Sequence, residues 1–151
     1  GNYASAMPWV LKAKAEYGAN QVLFCPNGDV QETGASNFIL INGDEIITKP
    51  LTDEFLHGVT RDSVLTVAKD LGYAVTERNF TVDELKAAVE NGAEAILTGT
   101  AAVISPVTSF VIDGKEIEVK SQERGYAIRK AITDIQYGLT EDKHGWLVEV
   151  C

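Results

Sequence analysis

The spacing of apolar positions changes several times along the chain, and each change marks a predicted element. Residues 4–17 mix small and apolar side chains and run into Gly18, a favourable helix stop, so a helix is predicted there with Pro8 confined to its first turn. The short apolar run 21–25 predicts a strand, Pro26-Asn27-Gly28-Asp29 a turn, and a second strand leads into Glu32. Residues 37–41 and 45–48 flank Asn42-Gly43, a two-residue hairpin signal. Over 60–71 the period becomes helical: Val64, Leu65, Val67, Ala68 and Leu71 share one face before Gly72. A strand is predicted at 74–79, and Thr81 with Glu84 forms a capping-box pattern for a helix reaching about Glu90. Strands at 95–98 and 103–111 are split by Gly99, and Asp113-Gly114 turns the chain into a returning strand at 115–119. A last helix at about 126–137 places Ile128, Ala131, Ile132 and Ile135 inward before Gly138.

Strands occur both in hairpins and between helices, with no fixed repeat. The pattern therefore predicts a mixed α+β (or α/β) domain whose sheet is largely antiparallel and barrel-like. The chain of 151 residues fits one domain, and no Pro-, Gly- or Ser-rich linker divides it. A net charge of −9 argues against binding nucleic acid or an anionic membrane. No apolar run approaches the roughly 20 residues of a membrane span, and no signal peptide is recognisable. Cys25 and Cys151 form no zinc-ligand spacing, so no metal is expected, and a reducing, cytoplasmic setting is the simplest expectation.

Four places could carry chemistry. His57-Gly58-Val59-Thr60-Arg61 precedes a helix whose first amides lack backbone partners, which suits an anion such as phosphate; an ordinary helix cap would read the same. Thr98-Gly99-Thr100-Ala101 is a small-residue turn that could present amides to a phosphate or carboxylate, or simply break a strand. Glu32, beside Thr33-Gly34-Ala35-Ser36-Asn37, could hold a cationic ring nitrogen or be a solvated strand end. Tyr3 offers a phenol, though a lone tyrosine is usually a packing residue. His57 and His144 have no spacing partners for metal or triad chemistry, and Glu141-Asp142 reads as a solvated turn.

Taken in order, the segments resemble a known family. Gly1-Asn2-Tyr3, Glu32 to Asn37, Leu56-His57-Gly58-Val59-Thr60-Arg61 and Thr98-Gly99-Thr100-Ala101-Ala102 are similar to successive signatures of the branched-chain amino acid aminotransferases. The stretches Thr133-Asp134-Ile135-Gln136-Tyr137-Gly138 and Glu141-Asp142-Lys143-His144-Gly145-Trp146 resemble that family's C-terminus. These are fold-type IV enzymes that use pyridoxal 5'-phosphate. The resemblance implies their large domain, a pseudo-barrel of largely antiparallel strands with surrounding helices. It also implies that Tyr3 bonds the cofactor's phenolic oxygen and Glu32 its protonated pyridine nitrogen. Leu56 would pack on the ring, Val59 and Thr60 would hold the phosphate through their amides, and Thr100 would add to that seat. Ala35, Thr100 and Ala101 would receive the substrate carboxylate.

The resemblance places the Schiff-base lysine three residues before Gly1, and the family's small N-terminal domain earlier still. Lys12 and Lys14 are no substitute. The isolated chain is therefore expected to be inactive and to bind pyridoxal phosphate weakly or not at all. The intact parent would be a homodimer moving amino groups between Leu, Ile or Val and 2-oxoglutarate. His57 stands where the family usually has proline, and Ala102 and Ser105 occupy the positions of a redox pair found in some members. Two alternatives remain at this level: another fold-type IV reaction, by a D-amino acid aminotransferase or an aminodeoxychorismate lyase, or a non-catalytic binding or dimerisation domain.

Overall fold

The structure, a computed structural model, describes residues 3–150. Gly1, Asn2 and Cys151 lie outside the described residues, so the first two positions of the opening motif and the second cysteine have no structural account. The elements follow in the order α1 (Met7–Tyr17), β1 (Asn37–Asn42), β2 (Glu45–Thr48), α2 (Val59–Asp70), β3 (Ala74–Glu77), α3 (Val82–Glu90), β4 (Glu94–Gly99), β5 (Val103–Pro106), β6 (Ser109–Ile112), β7 (Lys115–Glu118) and α4 (Glu123–Gln136). Five strands form a sheet in the order β3-β2-β1-β4-β5, and β6 and β7 form a separate ribbon. Among the described residues, only the β2–β3 pair is parallel; the remaining strand pairs are antiparallel. The fold is thus the mixed α+β arrangement of largely antiparallel strands that the sequence predicts.

β1 is the hub because it is apolar on both faces, the pattern of a strand covered on two sides. Ile39 and Ile41 point into a core shared with Val64, Leu65, Val67 and Ala68 of α2 and Ile128, Ile132 and Ile135 of α4. Phe38 and Leu40 point the other way, toward Leu85 and Val89 of α3, Phe80, Val30 and Val119. Phe38 packs on the rings of both Phe80 and Phe110, with centroids 6.3 and 6.2 Å apart. Each fully buried Ile, Leu or Phe here contributes about 1.5–3 kcal/mol of transfer free energy. Two helices therefore cover one face of the sheet, while α3 and the ribbon cover the other.

Several local expectations need correction. Residues 21–25 and the run into Glu32 do not form regular strands; they meet through a single bridge, Leu23 with Thr33, and through the bonds Phe24 N to Glu32 O and Gln31 N to Phe24 O. The hairpin loop is Gly43-Asp44 rather than Asn42-Gly43, because Asn42 still pairs with Glu45 and Gly43 takes the left-handed φ of 61°. The predicted strand 103–111 is two strands: β5 ends at Pro106, and the chain crosses to the ribbon before β6. Leu71 is half-exposed at the end of α2 instead of on its buried face. The capping box is half-formed: Thr81 accepts the Glu84 amide, but the Glu84 carboxylate pairs with Arg78.

α1 differs from the other helices. Pro8 lies in its first turn and Gly18 closes it with φ 70°, as predicted, yet it buries none of its residues. Met7, Trp9, Leu11 and Tyr17 are each more than half exposed. Among the described residues, no helix is long and apolar enough to cross a membrane.

Candidate functional site

The antiparallel pairing of β1 with β4 brings the start of one strand beside the end of the other: Asn37 lies opposite Thr98. β2 returns antiparallel to β1, so Thr48 and the loop that follows it arrive at the same end of the sheet. That loop leads through Leu56 and Gly58 into α2. The Glu32 segment, the loop of residues 33–36, the 56–60 stretch and the Gly99-Thr100 turn are therefore all delivered to one edge of the sheet.

Contacts tie these pieces together. Thr33 organises its loop: its Oγ accepts the amides of Ala35 and Ser36 and donates to the Ser36 carbonyl. Gly99 lies against this loop, since a Cβ there would stand 3.8 Å from the Ala35 carbonyl oxygen and from Ser36 Oγ. A Cβ on Gly34 would stand 2.7 Å from Ala6 Cβ, so the segment carrying Tyr3 passes directly over the same loop. Asn37 Nδ2 donates to the Leu56 carbonyl at 2.9 Å.

Glu32 is the chemical centre of this edge. It is 5% exposed, and Phe38 N donates to its Oε2 at 2.6 Å. Its Oε1 is buried and has no hydrogen-bond partner among the described residues. Burial pushes its pKa up from 4.5 to about 7; the Phe38 amide, the Asn37 side chain and the positive charge of Arg61 pull less strongly the other way. A buried carboxyl with an unused acceptor is costly unless something cationic meets it. Arg61, also buried, donates to the Lys49 carbonyl at 2.7 Å and to Glu77 at 2.6 Å. Among the described residues, Arg61 Nε and Thr98 Oγ1 are two further buried polar atoms without a partner.

The remaining predicted residues lie on the segments that meet at this end of the sheet or on the adjoining start of α1. Leu56 and Val59 are 81% exposed, an unusual exposure for apolar side chains. Thr60 is half-buried, and Ala35, Thr100 and Ala101 are exposed. Gly58 caps α2 with no side-chain hydrogen bond, so the first amides of that helix face outward with a favourable dipole. Tyr3 is 63% exposed; its carbonyl accepts from Ala6 and Met7 at the start of α1. His57 Nε2 bonds the Thr52 carbonyl, within its own loop. Lys12 faces Glu16 on the outer side of α1.

Asn37 and Arg61 escaped prediction as site residues. Both close motifs named from the sequence, but neither an asparagine beginning a strand nor an arginine on an apolar helix face announces a role of its own. Only the fold brings them to Glu32. A cavity of about 1000 Å³ between the end of α1, Cys25 and the β5–β6 region is lined neither by Glu32 nor by Leu56, Val59, Thr60 or Thr100, though Thr33, Ser36 and Ala102 border it. Among the described residues, no cluster of His, Cys, Asp and Glu could hold a metal ion.

A helix start without a side-chain cap, a small-residue turn and a buried carboxyl with one oxygen unpaired among the described residues are thus carried by segments that meet at one end of the sheet. The chain belongs to the amino-transferase class IV family, whose sequence model matches residues 1–110. Among curated relatives it is 39% identical to a probable branched-chain-amino-acid aminotransferase of Streptomyces coelicolor over 97% of this chain and 42% of that one. It is 38% identical to branched-chain-amino-acid aminotransferase 2 of Bacillus subtilis over 99% and 43%. The solved branched-chain amino acid aminotransferase of Escherichia coli superposes with a TM-score of 0.83 at 32% identity, covering 99% of this chain and 49% of that one. Another solved branched-chain amino acid aminotransferase, with pyridoxamine 5'-phosphate, gives 0.82 at 32% identity over 98% and 47%. The chain thus spans less than half the length of these relatives.

Proposed function

We propose that this chain is the cofactor-holding part of a pyridoxal-phosphate-dependent aminotransferase that exchanges amino groups between branched-chain amino acids and 2-oxoglutarate. The observation that carries the reading is Glu32: a buried carboxyl with one oxygen unused among the described residues, its charged form favoured by the positive charge of Arg61. A protonated pyridine nitrogen is the partner this oxygen lacks, and Glu32 would hold the proton there. When bound, pyridoxal phosphate supplies an electron sink for charge developing at the substrate's α-carbon. The amides of Val59 and Thr60, with Thr100, would bind its phosphate. Leu56 would cover one face of the ring and exclude water, which accounts for an exposed leucine beside the site. Tyr3 would bond the phenolic oxygen, and Ala35, Thr100 and Ala101 would orient the substrate carboxylate.

The branched-chain assignment rests on relatives of that name at 37–39% identity and on a neighbouring structure described as complexed with 4-methylvaleric acid. The same reading makes the full-length protein a cytoplasmic homodimer and leaves the 151 residues alone without turnover. The exposed apolar side chains of α1 are then surface for the remainder of the enzyme.

The test is turnover of leucine with 2-oxoglutarate by the full-length protein, followed as 4-methyl-2-oxopentanoate. Glu32→Gln, which cannot carry the charge, is expected to lower kcat by on the order of 10²–10³. Full activity of that variant, or turnover confined to D-amino acids, would end the proposal.

A further inference from the structure

We infer that Asn37 is a positioning residue that sets the separation between the carboxyl end of the site and its helix-start end, and that residue 58 is glycine to make room for it. The inference rests on the aminotransferase reading of the site.

Asn37 is 7% exposed and begins β1, where the ladder to Thr98 fixes its backbone. The next residue, Phe38, donates its amide to Glu32 Oε2 at 2.6 Å, and the Asn37 side chain favours the charged form of that carboxyl. The same side chain reaches the Leu56 carbonyl, 19 residues further along the chain. Among the described residues, the other side-chain bonds of the 50–58 loop are exposed: Gln31 to Glu54, the Glu54 amide to Thr52 and His57 to the Thr52 carbonyl. Asn37 therefore ties the start of β1 to the segment that leads into α2, while Arg61 holds the helix's first turn to the Lys49 carbonyl and Glu77.

Gly58 supports this independently. Its φ of −67° and ψ of 124° are open to any residue, so backbone conformation does not demand glycine. Space does. A Cβ at this position would collide with Asn37 Oδ1, and it would stand 3.2 Å from Asn37 Cγ. The start of the helix is pressed against the Asn37 side chain, and the residue that follows Asn37 gives its amide to Glu32. A shift forced by a side chain at residue 58 is therefore expected to reach the carboxyl.

A simple loop tether would stabilise the fold without touching Glu32, so the test reads Glu32 directly. In the full-length protein, Asn37→Ala, Gly58→Ala and the double variant are compared with wild type. Pyridoxal phosphate affinity is read from tryptophan fluorescence. The Glu32 titration midpoint is read by infrared difference spectroscopy with 13C-carboxyl glutamate, using Glu32→Gln as blank. Each single variant is expected to weaken cofactor binding by about tenfold or more, the scale of a lost hydrogen bond at a charged group, and to raise the Glu32 midpoint. Once Asn37 is gone, the added methyl has room, so the double variant should bind no worse than the weaker single one. Unchanged affinity in both single variants, or additive losses with an unmoved Glu32 midpoint, would overturn the inference. Should Asn37→Ala fail to fold, Gly58→Ala still displaces the amide and decides it through the midpoint. Absence of pyridoxal phosphate binding by wild type would sink the aminotransferase reading instead, leaving the Glu32 midpoints in the two single variants to judge Asn37.

Discussion

The two ends of the central strands each hold a buried glutamate, and the two are treated in opposite ways. Glu94 begins β4 at the far end of the sheet, opposite Ile41. It is 1% exposed and accepts from Ser121 Oγ and from the Arg124 and Gly125 amides, with the Arg124 guanidinium 3.5 Å away. It serves as a cap for α4 carried on a neighbouring strand: a carboxylate set against a helix N-terminus, where amides and dipole both favour negative charge. Glu32, at the other end, accepts from one amide and keeps an unpaired oxygen. Burial alone does not mark function. What separates the two is whether the protein itself answers the charge.

The largest effect expected from breaking this contrast is at the satisfied end. Glu94→Ala strips the start of α4 of its acceptor and leaves three donors unanswered. The loss should be about 3–5 kcal/mol of folding free energy, the usual consequence of breaking a buried charged network. Urea denaturation would measure it. A loss below about 1 kcal/mol would show that α4 does not depend on this carboxylate.

At the unsatisfied end the sign reverses. The folded pKa of Glu32 is raised to about 7 from 4.5, so the folded state holds a proton that the unfolded chain releases between those values. Stability is full below about pH 4.5 and falls as pH rises toward 7. The shift corresponds to roughly 3 kcal/mol at most. Glu32→Gln should remove this decline and leave the protein more stable than wild type at about pH 8, although its turnover is impaired. Parallel pH–stability curves for wild type and variant would contradict the account of Glu32.

This contrast also explains what could be read without coordinates. Helical periodicity placed α2 and α4, because Val64, Val67, Ala68, Ile128 and Ile132 repeat on one face and are buried there. The Glu32, Gly58 and Gly99 segments could be named from their chemistry and from family resemblance. The partnerships could not. Glu94 looks like any charged residue at the start of a strand, and its donors lie 27–31 residues away. Asn37 and Arg61 gain meaning only when the β1–β4 register and the 49–58 loop bring them to Glu32. The split of the 103–111 run into β5 and β6 was likewise hidden, because Pro106 is compatible with the last position of an edge strand and gives no warning that the chain then leaves the sheet.

A smaller, sharper comparison lies in the glycine at each end. Gly125 sits in the first turn of α4 with its amide on Glu94, just as Gly58 sits at the start of α2 against Asn37. The neighbours differ: a Cβ on Gly125 would meet Ile96 Cγ2 at 2.8 Å and Pro106 Cγ at 3.5 Å, apolar atoms of the core. Gly125→Ala gains about 1 kcal/mol of helix propensity. It also forces Ile96, fully buried, to yield, at about 1–3 kcal/mol of overpacking. The net expectation is a loss of about 1 kcal/mol in thermal or urea unfolding, with pyridoxal phosphate affinity of the full-length protein unchanged. Gly58→Ala should show the inverse balance, a larger change in cofactor binding than in stability. Equal behaviour of the two variants in both measurements would mean that the ends of the sheet are not divided between holding the fold and holding a ligand.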